Sequence, residues 1–284
     1  MKWKKQMLNK IYRKNKMLFW GLLIFSSLMV LTYLMPLFFD KESNHLTNNA
    51  LEPISPKHLM GTDSIGHDLW SFIIQGTRNS LKIAFCTALI SGFVGTLLGI
   101  IAGYFRSCTD SIVNLICDFL VVFPDFVLAF IVIFMFGKGM NQLILSISIC
   151  YLPLFIKNIR AVTIQVSQKD FVQNALSLGA SHFYILRKHI FPHVLSTLIT
   201  LMATRLGSII LVAASMGFIG LGLDPSTPEW GSILSFNKSY ISSRPYLIFG
   251  PLIFILLTSL AFNLIGEGLV QSFSPRQSQQ KEDK

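Results

Sequence analysis

Three charged side chains, Asp118, Asp125 and Arg205, sit inside otherwise apolar runs of this 284-residue chain. A charge within a membrane is costly and faces a polar interior, a water-filled path or an opposite charge. Asp118 and Asp125 are seven residues apart, which puts both on roughly one face of a continuous helix. They fit a solute pathway or an interhelical pair with Arg205; the plainer alternative is a buried structural pair, with Asp118 close to the headgroups. A second group, Asp63, His67 and Asp68 in "GTDSIGHD", has side chains that suit a hard metal or zinc. Within one loop such spacing reads better as a hydrogen-bonded turn, and no metal site is assigned. The chain has no G-x-x-x-x-G-K-[ST], no H-E-x-x-H and no G-x-S-x-G. No catalytic residues are therefore assigned.

The elements that must position these charges follow from composition. Hydrophobic residues make up 52% of the chain and charged residues 13%, against roughly 25% charged in soluble domains. So little charge cannot cover a water-facing surface, and the chain is expected to be an all-α integral membrane protein. A helix needs about 20 mostly apolar residues to cross the hydrocarbon core. Six stretches meet that need: Met17–Phe39, Leu81–Phe105, Ile112–Phe136 despite its two aspartates and Pro124, Asn141–Ile156 with its flanks, Val194–Leu221, and Leu247–Val270. The first is too long for a signal-peptide core, and no A-x-A site follows it, so it reads as a permanent span.

Charge sets the expected orientation. The first sixteen residues carry seven basic side chains and no acid. With that end inside, cytoplasmic segments hold sixteen basic residues and outside segments six, the bias expected of short loops. Both termini are then cytoplasmic. The net charge of +10 reads as topology and lipid attraction rather than as a nucleic-acid footprint. Cys86, Cys108, Cys117 and Cys150 show no C-x-x-C spacing and are expected to be small apolar residues in helices. The organisation is a basic N-terminus (1–16), a first span with an outside segment (17–80), a membrane domain (81–270) with a cytoplasmic excursion at 157–193, and a polar tail (271–284).

That excursion contains a wet stretch, "QNALSLGASHFYILRKHIFPHV". Phe171, Val172, Ala175, Leu176 and Leu178 suggest one apolar helix face. Gly179 is a natural helix stop, and Ser181 can cap a second helix from His182 to His189. Pro192 is expected to turn the chain back into the membrane, with Phe191 extended before it. A short apolar helix shown to water, with small residues near its tip, suits a partner's groove; the alternative is a helix lying flat on lipid. The histidines have no role in this reading.

The same stretch, from Asp170 through Gln173-Asn174-Ala175 and Gly179-Ala180-Ser181 to Pro192, resembles the EAA loop of ABC-importer permeases. "GTDSIGHDLWSFIIQGTRNSL", "GFIGLGLDPSTPEWGSIL" and "LAFNLIGEGLVQSFSPR" resemble segments of the second permease of dipeptide, oligopeptide and nickel importers. The four motifs keep the expected order over about residues 60–276. The resemblance implies a type I importer permease in a bacterial cytoplasmic membrane. It implies a homologous second permease, two cytoplasmic ATPases that bind ATP and Mg, and an extracytoplasmic binding protein. The solute would be a peptide, nickel or a metal chelate, delivered to outside loops where Asp63, Glu229 and Trp230 sit.

Carried over residue by residue, the coupling loop comprises Phe171, Gln173, Asn174, Ala175, Leu176, Leu178, Gly179, Ala180 and Pro192. Gln173 and Asn174 replace the glutamate and first alanine of the pattern, and His67 replaces an arginine. Asp125 follows Phe123-Pro124 where the family has a smaller or apolar residue, which suggests a cationic or metal-bearing solute. A rival from another class is an ion-coupled secondary transporter with Asp118, Asp125 and Arg205 as its relay.

Overall fold

A computed structural model describes residues 15–38, 50–224 and 227–273. The basic residues before position 15, part of the segment after the first helix, and the tail beyond 273 lie outside the described residues. Ten α-helices carry the described chain: α1 (Lys16–Phe38), α2 (Leu69–Phe105), α3 (Cys108–Val122), α4 (Asp125–Phe136), α5 (Met140–Ser167), α6 (Asp170–Ser177), α7 (His182–Ile185), α8 (Phe191–Met216), α9 (Trp230–Asn237) and α10 (Tyr246–Phe273). The only strand-like feature among the described residues is an isolated antiparallel bridge between Thr62 and Asp68. Five helical segments are long and apolar enough to cross a membrane, or six if α3 and α4 form one bent span.

The second span begins earlier than expected. Helix α2 starts at Leu69 rather than near Leu81 and runs for 37 residues, about 55 Å at 1.5 Å per residue. Its start is fixed by Asp68, whose carboxylate accepts from the Ser71 N–H at 2.9 Å, an N-cap. Leu69, Phe72, Ile73 and Ile74 just inside it are buried, so the apolar pattern simply continues upstream of the span. Arg106 ends the helix in the left-handed conformation, at φ 45°.

The third span is not a straight helix. Helices α3 and α4 meet at 98°, because Pro124 lacks a backbone N–H and holds Phe123 extended, at φ −86° and ψ 134°. Asp118 and Asp125 therefore do not share one helix face. The fourth span is also longer than expected: α5 runs to Ser167, which leaves residues 168–181, with the short α6 among them, as the connection to α7.

Helices α2 and α5 pack together along a long seam. Gly95, Gly99 and Gly103 repeat every four residues along α2 and lie on one face. A Cβ at Gly95 would meet the Phe155 Cβ at 2.5 Å. One at Gly99 would meet the Ile156 carbonyl and the Ile159 Cβ at 2.9 Å, and one at Gly103 the Arg160 carbonyl at 2.8 Å. Small residues at such spacing let helix backbones approach where no hydrophobic force drives them together. On the far side, α8 packs on α10, where the Ser259 hydroxyl donates to the Gly207 carbonyl at 3.2 Å. Helix α1 packs on α10, with Asn15 Nδ2 donating to the Gly268 carbonyl at 2.5 Å. Large apolar side chains such as Phe93, Phe134 and Val122 point outward, as they would toward lipid or a second subunit.

Gly99→Leu is expected to separate α2 from α5 and lower stability by more than the ~1–3 kcal/mol typical of overpacking. Gly92→Ala, which meets only the flexible Leu198 and Met202 side chains, should be tolerated. Size-exclusion profiles of the detergent-solubilised variants check both.

Candidate functional site

The segment between α5 and α8 is built as a short stalked helix. Val172, in the first turn of α6, is fully buried. It packs with Ile159, Val166, Ile185, Ile190 and Val194, with Leu176 and Ala180 partly buried against them. Leu178 points away at 88% exposure, and Phe171, 40% exposed, sets its ring against those of His189 and His193. The expected single apolar face is thus split: Val172 and Leu176 anchor the helix, while Phe171 and Leu178 are displayed. Gln173 and Asn174 are exposed, and Ala175 is half-buried.

Gly179 ends α6 at φ +84°. Its N–H donates to the Leu176 carbonyl at 2.9 Å, and the Ala180 N–H reaches the Ala175 carbonyl at 3.0 Å. This is a Schellman stop, which satisfies carbonyls that a helix end otherwise leaves unpaired. A Cβ on Gly179 would meet nothing within 4 Å, so within this chain glycine is needed there for its backbone conformation and not for space. Ser181 caps α7 as expected, accepting from the Tyr184 N–H at 3.3 Å.

Pro192 does not turn the chain. Phe191 is helical, at φ −55° and ψ −43°, and α7 continues into α8 through one π-helical turn at Leu186–Ile190. In a regular helix the proline ring would meet the carbonyl four residues back, that of Lys188. Widening the turn just before it accommodates the ring without a break. The histidines are not idle either. His182 Nδ1 lies 2.7 Å from the Tyr104 hydroxyl and ties the segment to the end of α2. Between them opens a cleft of about 320 Å³, lined by Tyr104, Arg106, Gln168, Gln173 and His182 among others. Gln173 turns into this cleft and donates to the Ser167 carbonyl at 2.8 Å.

At the opposite end of α2 lies a clamp rather than an open docking surface. Asp63, Glu229 and Trp230 are each at most 1% exposed, so they are not displayed to a partner as expected. One carboxylate oxygen of Asp63 accepts from the N–H groups of Ile65, Gly66 and His67 at 2.7–2.9 Å. The other lies 2.9 Å from His67 Nδ1. His58 Nδ1 lies 2.8 Å from Asp68, beside the α2 cap. Glu229 caps α9 by accepting from the Gly231 and Ser232 N–H groups, both at 2.9 Å. Trp230 donates from its ring nitrogen to the Ile73 carbonyl at 3.3 Å. The turn and cap chemistry of "GTDSIGHD" and "PEWG" thus locks α9 and the segment before α2 onto the start of α2.

The three charges within spans are not drawn into one cluster. Asp118 is 66% exposed at its side chain and pairs with Lys157 at 2.8 Å. Asp110 makes a two-pronged pair with Arg160, at 2.5 and 2.6 Å. These two bonds tie α3 to α5, and neither residue stood out in the sequence; their legible signal was opposite charges at the ends of adjacent spans. Asp125 and Arg205 make no ion pair with each other or with any other described residue, so the expected interhelical pair is not formed. Both lie within electrostatic reach of Tyr151 on α5, and the Cys150 thiol donates to the Asp125 carbonyl at 3.3 Å.

Burial pushes the Glu229 carboxyl above the ordinary glutamate range, opposed by its donors at Gly231 and Ser232. A carboxyl raised in the folded state holds its proton more tightly there than in the unfolded chain. Its contribution is complete below the unfolded value and falls as pH rises through the folded one. Glu229→Ala, which leaves two buried N–H groups unpaired, should cost ~1–3 kcal/mol. Glu229→Gln, which keeps an acceptor, should cost less and flatten the pH dependence. Thermal unfolding in detergent across pH checks both.

The family described as "Binding-protein-dependent transport system inner membrane component" matches residues 95–279. The glutathione transport system permease protein GsiD of Pectobacterium atrosepticum is 37% identical over 244 residues, covering 86% of this chain and 80% of that protein. The dipeptide transport system permease protein DppC of Alkalihalophilus pseudofirmus is 33% identical over 269 residues, covering 94% and 88%. Among solved structures, an inward-facing MetNI methionine ABC transporter shares the fold, with a TM-score of 0.60 at 15% identity over 72% of this chain and 96% of that one. An ion-coupled secondary transporter finds no support in these likenesses. The ordered motifs, the all-helical bundle and these matches make the chain a member of the family of binding-protein-dependent transport system inner membrane components, the non-catalytic permease subunits of ABC importers.

Proposed function

We propose that this chain imports short peptides as one of two permeases in a bacterial ABC importer, with its N-terminus and the α6 segment on the cytoplasmic side. The observation that carries the coupling role is the stalked α6 helix. It is anchored by Val172, stopped by Gly179, and presents Phe171, Asn174, Leu178 and an unobstructed tip outward. Such a knob fits a groove on a cytoplasmic ATPase. ATP and Mg belong to that partner, and closure of two ATPases would move the paired knobs and the helices behind them.

Gln173 cannot supply the carboxylate of the family pattern, and its amide is engaged with Ser167. Grip on the ATPase then falls to the apolar side chains and the tip. At the other end, an extracytoplasmic binding protein would meet the rim around the α9 clamp rather than its buried residues. Peptide as the solute class follows the two relatives named for glutathione and dipeptide transport. Nickel and metal chelates, which the sequence resemblance also allows, draw no support from them.

Gly179→Val forces a β-branched residue into the left-handed conformation, at a cost of about 1–2 kcal/mol. It should lose co-purifying ATPase subunits or uncouple hydrolysis from uptake, while the chain still inserts. Gly179→Asn, which tolerates that conformation, should retain more coupling. Transport at the wild-type level in Gly179→Val would remove the loop from the mechanism. Uptake of labelled dipeptide, glutathione and nickel in a deletion strain tests the solute class.

A further inference from the structure

Helices α4, α5 and α8 bring two uncompensated charges of opposite sign to one region of the bundle. Arg205 lies in the middle of α8, and its Nε is buried without a hydrogen-bond partner. A guanidinium held there is expensive unless something pairs it. Asp125 opens α4 directly after the Phe123-Pro124 break, and its side chain is exposed on this chain. Neither has an ion-pair partner among the described residues, although Asp110 and Asp118 both do. Arg205 and Asp125 both lie within electrostatic reach of Tyr151, which has the Ser208 hydroxyl beside its own, and the adjacent Cys150 donates its thiol to the Asp125 carbonyl at 3.3 Å.

The face of α8 that carries Arg205 is not a lipid face. Arg205, Ser208 and Val212 follow one stripe at helical spacing, and this chain leaves all three half-covered rather than buried. Two of the three are polar, whereas the exposed positions of the same helix include Leu195, Ile199 and Leu211. A half-covered polar stripe in a spanning helix belongs to a water-filled path.

We infer that this region is a recognition point for a zwitterionic solute, with its carboxylate on Arg205 and its ammonium group on Asp125. Resting on the peptide reading above, it assigns this permease its own check on both peptide termini, in addition to selection by a binding protein. A guanidinium gives two parallel donors to a carboxylate, and Asp125 supplies the opposite charge that a metal-free peptide end would meet. The aspartate that looked like a cation site in the sequence is then half of a two-charge site.

The test uses the complete importer, with second permease, ATPases and binding protein, in vesicles. Three labelled probes are supplied at saturating concentration: a free dipeptide, its C-terminal amide and its N-acetyl form. For each, the uptake of a variant is divided by that of wild type, which cancels discrimination by the binding protein. Arg205→Gln should lower uptake of the free dipeptide by about tenfold or more and leave the amide little changed. Arg205→Lys should recover part of the loss. Asp125→Asn should spare the N-acetyl probe in the same way.

Equal losses for all three probes, or no loss, in variants whose subunits still co-purify would overturn the inference. That outcome leaves the peptide reading standing. Failure of the wild-type importer to take up any of the three peptides would instead sink the peptide reading, and this inference with it.

Discussion

Two helices can run side by side through hydrocarbon at short range only where one of them has no side chains in the way. Lipid offers no hydrophobic reward for pairing, so contact area and backbone approach must supply the attraction. In this chain that constraint is met by Gly95, Gly99 and Gly103 against Phe155, Ile156, Ile159 and Arg160. The seam makes α2 and α5 one unit where Gly95–Gly103 meets the half of α5 from Phe155 to Thr163. Other parts of the fold then hang on its ends. The α9 clamp closes on the start of α2 through Trp230, Ile73 and the Asp68 cap. The α6 segment closes on its other end through Tyr104 and His182.

That arrangement links the α6 segment and the α9 clamp by a stiff element. A continuous helix of 37 residues, with its glycine face covered by α5, resists bending. In the proposed coupling, motion at the α6 knob would reach the α9 clamp as a rigid displacement rather than by a relay of side-chain changes. The Asp110–Arg160 and Asp118–Lys157 pairs attach the bent α3–α4 pair to α5. Asp125 at the hinge moves with the same body, while Arg205 rides on α8. Relative motion of the two bodies would change the gap between these opposite charges.

Much of this was legible in the sequence. Long apolar runs announced the spans, Gly179 and Ser181 announced a helix stop and a restart, and four ordered motifs announced the family. The break at Phe123-Pro124 was visible as a proline but not as a bend, because hydropathy counts apolar content and is blind to direction. Asp63, Glu229 and Trp230 looked like displayed loop residues. The two carboxylates are buried because backbone N–H groups converge on each, and Trp230 because its ring nitrogen reaches the Ile73 carbonyl, which becomes visible only once the turns are formed. The five apolar residues of the α6 stretch looked like one face; at 100° per residue Val172 and Phe171 already diverge, and packing decided which of them went inward. Gln173 read as a lost contact, whereas its amide closes a local bond inside the loop.

The wide turn at Leu186–Ile190 has a further consequence. One extra residue in a helical turn advances everything downstream by about 100° around the axis. His182, before the turn, faces Tyr104 on α2, and Arg205, after it, lies within electrostatic reach of Tyr151 on α5. The inserted residue therefore sets the phase between these two contacts, as an offset does between two gears on one shaft. Proline at 192 holds that offset in place, so the azimuth of a charge deep in the bundle is governed from the rim of the loop.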